Sequence, residues 1–391
     1  MGVSRYLSRR GAAIALSAGI LLSALGAVGP VQAGSGTTDH AKAAAGYVAA
    51  QVEAGGLSAS VLADAIFALA GSHVGGTAVA GALTQLAGKV DAFAGYGGTL
   101  KPGPLSKVML AVKVAGGDPT SFNGHDLETD LRGLLITSGA DTGRFSTAYI
   151  NDQSFAVLAL STTSGGAPAS AVDYLSGKEC TAGDYSWDGS CPVAAGTEDP
   201  DTTATALMAL QASGSTAAAD KATQWLLDQQ AQNGSFAGYG TTNTGSTGLA
   251  AEALRAAGKT AEADAASAWI LAVQYGCRVT AANRGAIPWT ASDAGFSLVD
   301  ATAQAVLAFG AARLDLLTIA GATAGAPKLQ CAAATPRPTS TGVAIPTEPP
   351  TDGLAAPTGS GASSSGTLLL TATLMAVCGA LIAFRRSGNR R

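Results

Sequence analysis

Apolar residues recur along this chain in six stretches with helical spacing that end in a similar way. Five stop at small residues followed by glycine: Phe67-Ala-Leu-Ala-Gly71, Ala111-Val-Lys-Val-Ala-Gly116, Ala159-Leu-Ser-Thr-Thr-Ser-Gly165, Ala209-Leu-Gln-Ala-Ser-Gly214 and Ala253-Leu-Arg-Ala-Ala-Gly258. The sixth, Ala308-Phe-Gly-Ala-Ala-Arg313, runs on to an arginine. The ends lie 45, 49, 49, 44 and 55 residues apart, a spacing of the kind repeat architectures show. A glycine just past a helix suits the left-handed position that closes it. Thirteen residues before each end stand Ser58, Gly103, Asp152, Asp201, Gly245 and Asp300, which the pattern predicts as N-caps. Two residues further on come Ser60, Leu105, Ser154, Thr203, Thr247 and Thr302. Each unit is therefore expected to hold a second helix of about twelve residues, apolar nearly all round and so buried on nearly all sides.

The first helix of each unit reads as amphipathic. The stretch Ala219 to Gln230 sets charges on one side and Trp225 and Leu226 on the other, Ala263 to Gln274 repeats this with Trp269 and Ile270, and Ala171 to Leu175 is a shorter version around Tyr174. Alternating amphipathic and apolar helices predict two concentric layers: an all-α fold, an (α/α)6 toroid of six helical hairpins over residues 37–332. An open solenoid would leave the apolar second helices exposed and would need polar end repeats.

The ends of the chain read differently. Arg5, Arg9 and Arg10, the apolar run Ala12–Val28 and the small-residue site Val31-Gln32-Ala33 predict a signal peptide over 1–33. Residues 333–366 are rich in Pro, Thr and Ser and are expected to form an extended linker. Residues 367–384 are uncharged and long enough to be a transmembrane helix, and 385–391 form a basic tail expected on the cytoplasmic side. The ectodomain would then stand outside the plasma membrane, at the cell surface. Ala355-Ala356-Pro357-Thr358-Gly359 lies close to a sortase sorting pentapeptide, with Ala where Leu is required, so wall attachment is the competing expectation. Four cysteines precede the apolar tail, Cys180, Cys191, Cys277 and Cys331, with Cys378 inside it. An even number in an exported domain predicts two disulfides. Of three pairings, Cys180–Cys191 with Cys277–Cys331 is favoured, as a short clasp plus a staple on the last hairpin. No C-x-x-C spacing exists and the histidines are only His40, His73 and His125, so no metal site is expected.

Trp225-Leu226-x3-Gln230-x3-Gly234-x-Phe236 resembles the QW-type repeat of squalene and terpenoid cyclases, with Phe in the last Trp place. Trp269-Ile270-x3-Gln274 matches its first half, and Tyr174-Leu175-x3-Glu179 is a degenerate copy whose following Gly183-x3-Trp187 falls out of register. The resemblance spans roughly residues 40–331. It implies the α/α toroid shared by terpenoid cyclases, protein prenyltransferase β subunits, complement thioester domains and cobalamin carriers. It implies little about activity. The cyclase acid motif is only approached at Glu198-Asp199-Pro200-Asp201-Thr202, where one carboxylate of the pattern is a threonine. Prenyltransferase zinc ligands and the thioester Cys-Gly-Glu-Gln run have no counterpart. The cobalamin carriers place Asp-Thr followed by small apolar residues at inner-helix starts, as Asp201-Thr202 and Asp300-Ala-Thr302 do here. Those carriers use a second, β-rich domain that this sequence lacks, so the resemblance implies half a site at most.

Composition narrows the function classes further. Apolar residues make up 47% and charged ones 13%, and net charge is −4, so there is no basic patch for nucleic acid. Aromatics gather in the segments joining first to second helices: Tyr96, Phe145, Tyr185, Trp187, Phe236, Tyr239, Trp289 and Phe296. With the polar helix starts they predict a ligand-binding mouth of Asn151, Asp152, Gln153, Trp187, Asp201, Thr202, Phe236, Tyr239, Asn243, Thr247, Trp289, Asp300 and Thr302, with Ser246 beside them. The expected function is a membrane-held, non-enzymatic surface protein that captures cobalamin or another small ligand for an uptake transporter. The alternatives are an enzyme on wall glycan or isoprenoid lipid, for which no catalytic residue stands out, and a structural scaffold.

Overall fold

The computed structural model of the chain describes residues 36–37, 39–145, 149–291, 297–310 and 312–331. The expected signal peptide (1–33), linker (333–366), membrane span (367–384) and basic tail (385–391) lie outside the described residues, as do Phe296 and Cys378. Within the described part the protein is all-α. Its helices are α1 (His40–Ala54), α2 (Ala59–Gly71), α3 (Gly76–Ala87), α4 (Val90–Ala94), α5 (Pro102–Val114), α6 (Leu127–Gly133), α7 (Ile150–Ser161), α8 (Ala169–Ser176), α9 (Pro200–Ala212), α10 (Thr216–Gln229), α11 (Thr244–Ala256), α12 (Thr260–Val273) and α13 (Leu298–Val306). The strands are two-residue pairs: β1 (Gly36–Thr37) lies parallel to β4 (Lys328–Leu329), and β2 (Ala237–Gly238) antiparallel to β3 (Thr241–Thr242). Among the described residues no helix is long and apolar enough to cross a membrane.

The apolar stretches of the sequence are α2, α5, α7, α9, α11 and α13. In α2 every residue from Val61 to Ala70 is buried, and α9 is buried without a break from Thr202 to Leu210. These helices pack in order: α2 on α5, α5 on α7, α7 on α9, α9 on α11, α11 on α13, and α13 back on α2. The amphipathic helices lie against this circuit, α3 on α2, α8 on α7 and α9, α10 on α9, α12 on α11, and α1 on α13 and α2. Each of them returns the chain to the end where the next inner helix begins, so the inner helices run parallel. The contact of Gly103 in the first turn of α5 with Asp152 in the first turn of α7 shows the shared level.

Only Ser58 caps where the pattern predicts. Its hydroxyl accepts from Val61 N at 3.3 Å. The other inner helices start two or three residues earlier than expected: α5 at Pro102, α7 at Ile150, α9 at Pro200, α11 at Thr244 and α13 at Leu298. Pro200 is pre-set for a first helical position and has no N–H to satisfy, so the cap falls to Asp199, which accepts from Thr202 N at 2.9 Å. Asn243 caps α11 through Ser246 N at 2.8 Å. Asp152, Asp201 and Asp300 are therefore not caps but members of the first turn, where the positive end of the helix dipole favours a carboxylate.

One device joins four of the loops to the outer helix that follows in the circuit. Gly143, Gly183, Gly234 and Gly285 all have φ between 86° and 95°, a region costly for any residue with a Cβ. A Cβ on them would come within 1.9 to 2.7 Å of the carbonyl oxygens of Ser170, Lys221, Ala265 and Ala43, one on each neighbouring outer helix. Two residues on, Phe145, Tyr185, Phe236 and Ile287 are buried. Their N–H groups donate to Gln153 Oε1, Thr203 Oγ1, Thr247 Oγ1 and Thr302 Oγ1 at 2.9–3.0 Å. Glu179-x3-Gly183-x-Tyr185 is thus a copy in register, contrary to the sequence expectation. The buried aromatic of that repeat is Tyr185, and Trp187 lies beyond it. Glu179 takes the glutamine place and pairs with Lys221 at 3.1 Å.

The circuit closes on itself between α12 and α1. Gln274 Nε2 donates to His40 O at 2.7 Å and Gly285 O at 2.8 Å, as Gln230 Nε2 does to Glu262 O and Gly234 O one unit earlier. After α13 the chain crosses the end of the circuit away from the inner-helix starts. Leu314 and Leu317 are buried, Ile319 N donates to Val114 O at 2.9 Å, and Thr323 N to His73 O at 3.1 Å. It then passes over α1, where a side chain at Gly46 would strike Pro327 O. The favoured disulfides are both formed: Cys277–Cys331 pins this segment to the loop after α12, and Cys180–Cys191 clasps the loop before α9.

Candidate functional site

A cavity of about 160 Å³ lies inside the circuit. All six inner helices contribute: Asp64 and Phe67 from α2, Lys107 from α5, Asn151 and Phe155 from α7, Asp201 and Thr205 from α9, Leu249 from α11 and Gln304 from α13. Leu307 and Leu314, on the segment that crosses the far end, close its floor. Asp64 is the one charge of α2, and Lys107 is the charge on the inward side of α5, whose other lysine, Lys113, is exposed; the two meet here. Lys107 Nζ lies 2.8 Å from Asp64 Oδ2 and 2.9 Å from Ser60 Oγ. Nearer the helix starts, Asn151 Oδ1 and Asp201 Oδ1 are buried and accept no hydrogen bond. Burial pushes the Asp201 carboxyl up to about 6, opposed by the Ser246 hydroxyl and reinforced by the charge of Asp199. Asp300 is also raised, by burial first and then by Asp64, with Lys107 opposing, and it accepts from Gln304 Nε2 at 3.3 Å.

The loops at the helix-start end carry exposed aromatics. Tyr149 and Trp187 are each 46% exposed and stacked with ring centres 4.8 Å apart, and Tyr239 is 52% exposed. Three of the four exposed large apolar side chains among the described residues therefore sit at the same end as Asn151 and Asp201. The loops hold one another: Ile150 N donates to Trp187 O at 2.7 Å, Tyr239 N to Glu198 O at 3.0 Å, and Thr244 N to Trp289 O at 2.8 Å. The Tyr239 hydroxyl donates to Asp199 Oδ2 at 2.8 Å, and burial together with that carboxylate raises its pKa.

The residues expected at the mouth separate into three groups. Asn151 and Asp201 line the cavity, and Asp300 stands by its charged pair. Trp187 and Tyr239 form the exposed rim, with Trp289 half-buried beside it. Gln153, Thr247, Thr302 and Phe236 are buried in the wall, Thr202 donates its hydroxyl to Asp199 at 2.7 Å, Asn243 is a helix cap, and Asp152 is set against Gly103. Asp64, Lys107, Gln304 and Tyr149 are additions. The signal for the first two was a charge in the middle of a helix apolar on nearly every side.

A larger crevice of about 450 Å³ runs beside α10, but its Asp220, Gln224 and Lys259 are exposed surface groups. Among the described residues no group of His, Cys, Asp or Glu is placed to hold a metal ion. No model of a known protein family matches the chain, and no curated protein matches it in sequence.

Proposed function

We propose that this chain is an exported, membrane-held α/α toroid of six hairpins that captures a small ligand at the helix-start end of its ring. The observation that carries this reading is the coincidence at one end of exposed Tyr149, Trp187 and Tyr239 with the unpartnered oxygens of Asn151 and Asp201. A concave site with aromatic surface and a few convergent polar groups is the usual form of a small-molecule site. Two disulfides suit an oxidising compartment outside the cell. Closure of the helix circuit supports the toroid, and the Gly183 copy, in register, extends the resemblance to QW-type repeats. A cavity of about 160 Å³ is far too small to enclose a corrin ring, so cobalamin would have to lie across the rim with at most a side group inside.

A second reading is kept open by Asp201. A carboxyl pushed up to about 6 within an enclosed site has the protonation behaviour of a general acid. An enzyme acting on isoprenoid or wall glycan would use it so.

Thermal unfolding of the full chain in neutral detergent, followed against corrinoids, isoprenoids and wall glycans, tests both readings. A ligand specific to the folded state at a hundred times its Kd should add about 2.7 kcal/mol and raise Tm with dose. Trp187→Ala should abolish that rise. Flat curves with every compound would defeat the capture reading, and turnover of a glycan or isoprenoid in the same samples would move the protein to the enzymes.

A further inference from the structure

The central cavity is unevenly supplied with hydrogen-bond partners and with charge. Lys107 is its ammonium, and it donates to Asp64 and Ser60. Asp201 adds a second carboxyl group with no second cation in the lining, and Asp300 stands close by the Asp64–Lys107 pair. Asn151 Oδ1 and Asp201 Oδ1, from adjacent helices, are buried acceptors with no hydrogen-bond partner, the Ser246 hydroxyl being the donor near the Asp201 carboxyl. A buried acceptor left unpaired is costly, so an occupant that brings N–H donors relieves both atoms at once. Excess negative charge favours a donor that is also a cation. Below these oxygens the lining turns apolar, with Phe155, Phe67 and Leu249, which suits a short hydrocarbon and an aromatic face for the charge. At roughly 30 Å³ per water the space corresponds to about five waters, enough for an ammonium and a few carbons.

We propose that the cavity takes the ammonium group of a small organic amine, with Asp201 as its counter-ion and Asn151 as its second acceptor. This rests on the capture reading and names the chemistry of the part of the ligand that enters the ring. The aromatic rim would then meet whatever larger group the amine carries.

Butylammonium, with 1-butanol and butyrate as neutral and anionic matches, tests the assignment by titration calorimetry on the full chain in neutral detergent at pH 7.5. Charge-assisted hydrogen bonds predict saturable butylammonium binding, roughly tenfold or more tighter than 1-butanol. Asp201→Asn, which keeps the shape of the side chain, should weaken it by a similar factor. Trp187→Ala should leave this small probe unchanged, which separates the cavity from the rim. Circular dichroism and an unfolding midpoint no lower than that of the unaltered protein would show that Asp201→Asn folds. Butylammonium binding no tighter than 1-butanol, or unchanged by Asp201→Asn, overturns the proposal. If a rim ligand from the wider panel still raises Tm in that case, the capture reading survives the loss of the amine. If no compound of either set binds, both fall.

Discussion

Asp201 carries the clearest consequence at the scale of one residue. Its folded pKa of about 6 lies above the usual carboxylate value, so the native state binds a proton more tightly than the unfolded chain. The sign follows: its stabilising contribution is complete below about pH 4 and is lost as pH rises through 6. At neutral pH the deficit is on the order of 3 kcal/mol. Glu252 acts in the same direction. It is 2% exposed, neither carboxylate oxygen has a partner, and burial raises it well above its usual value, with Asp315 adding and Arg313 opposing. Thermal unfolding between pH 4 and 8 should therefore show Tm falling with pH across this range. Asp201→Asn should flatten that fall and raise Tm at pH 7.5, while Glu252 leaves a residual slope. A variant with the unaltered profile would show that Asp201 is solvated. The sequence marked Asp201 as a helix cap. Its role as a buried acid depends on neighbours from α7 and α11 that no local spacing announces.

Between neighbouring elements, the repeated glycine of the loops decides how each unit meets the next. Gly234 has φ of 90°, and a Cβ there would lie 2.3 Å from Ala265 O. Gly258 has φ of 76° but open space around it. Gly258→Ala should cost about 1 kcal/mol from backbone strain alone, whereas Gly234→Ala should cost several kcal/mol because α12 must move away. Denaturant titration of the pair separates the two effects; equal losses would mean that the close approach is not enforced. Thr247→Val leaves the buried Phe236 N–H without its acceptor and should cost about 1–3 kcal/mol. The helices themselves were legible from their period and their glycine stops. Two of their starts were misplaced because Pro102 and Pro200 open helices just upstream of Gly103 and Asp201, the residues that look like caps. The Glu179 copy was misread because a buried tyrosine, not the nearby Trp187, fills the aromatic place.

For the whole molecule, the two disulfides should have separable effects. Cys277–Cys331 spans 54 residues, and loop-closure entropy gives its loss a cost of about 4 kcal/mol. Cys277→Ser/Cys331→Ser should lower Tm strongly while leaving the mouth intact. Cys180–Cys191 spans 11 residues around Trp187, and its loss should cost less stability but weaken any ligand that uses the rim. Unfolding midpoints and ligand titrations on the two double variants distinguish these outcomes. The sequence by itself determined an all-α chain of alternating amphipathic and apolar helices, and it pointed to both disulfide pairs, because helical period, glycine stops and cysteine spacing are local properties. Only the tertiary structure decided that α13 returns to α2, that Gln274 reaches His40, and that Asp64 finds Lys107 43 residues away. Those meetings join residues far apart in the sequence. They are set by side-chain packing between units, and no window of the sequence contains them.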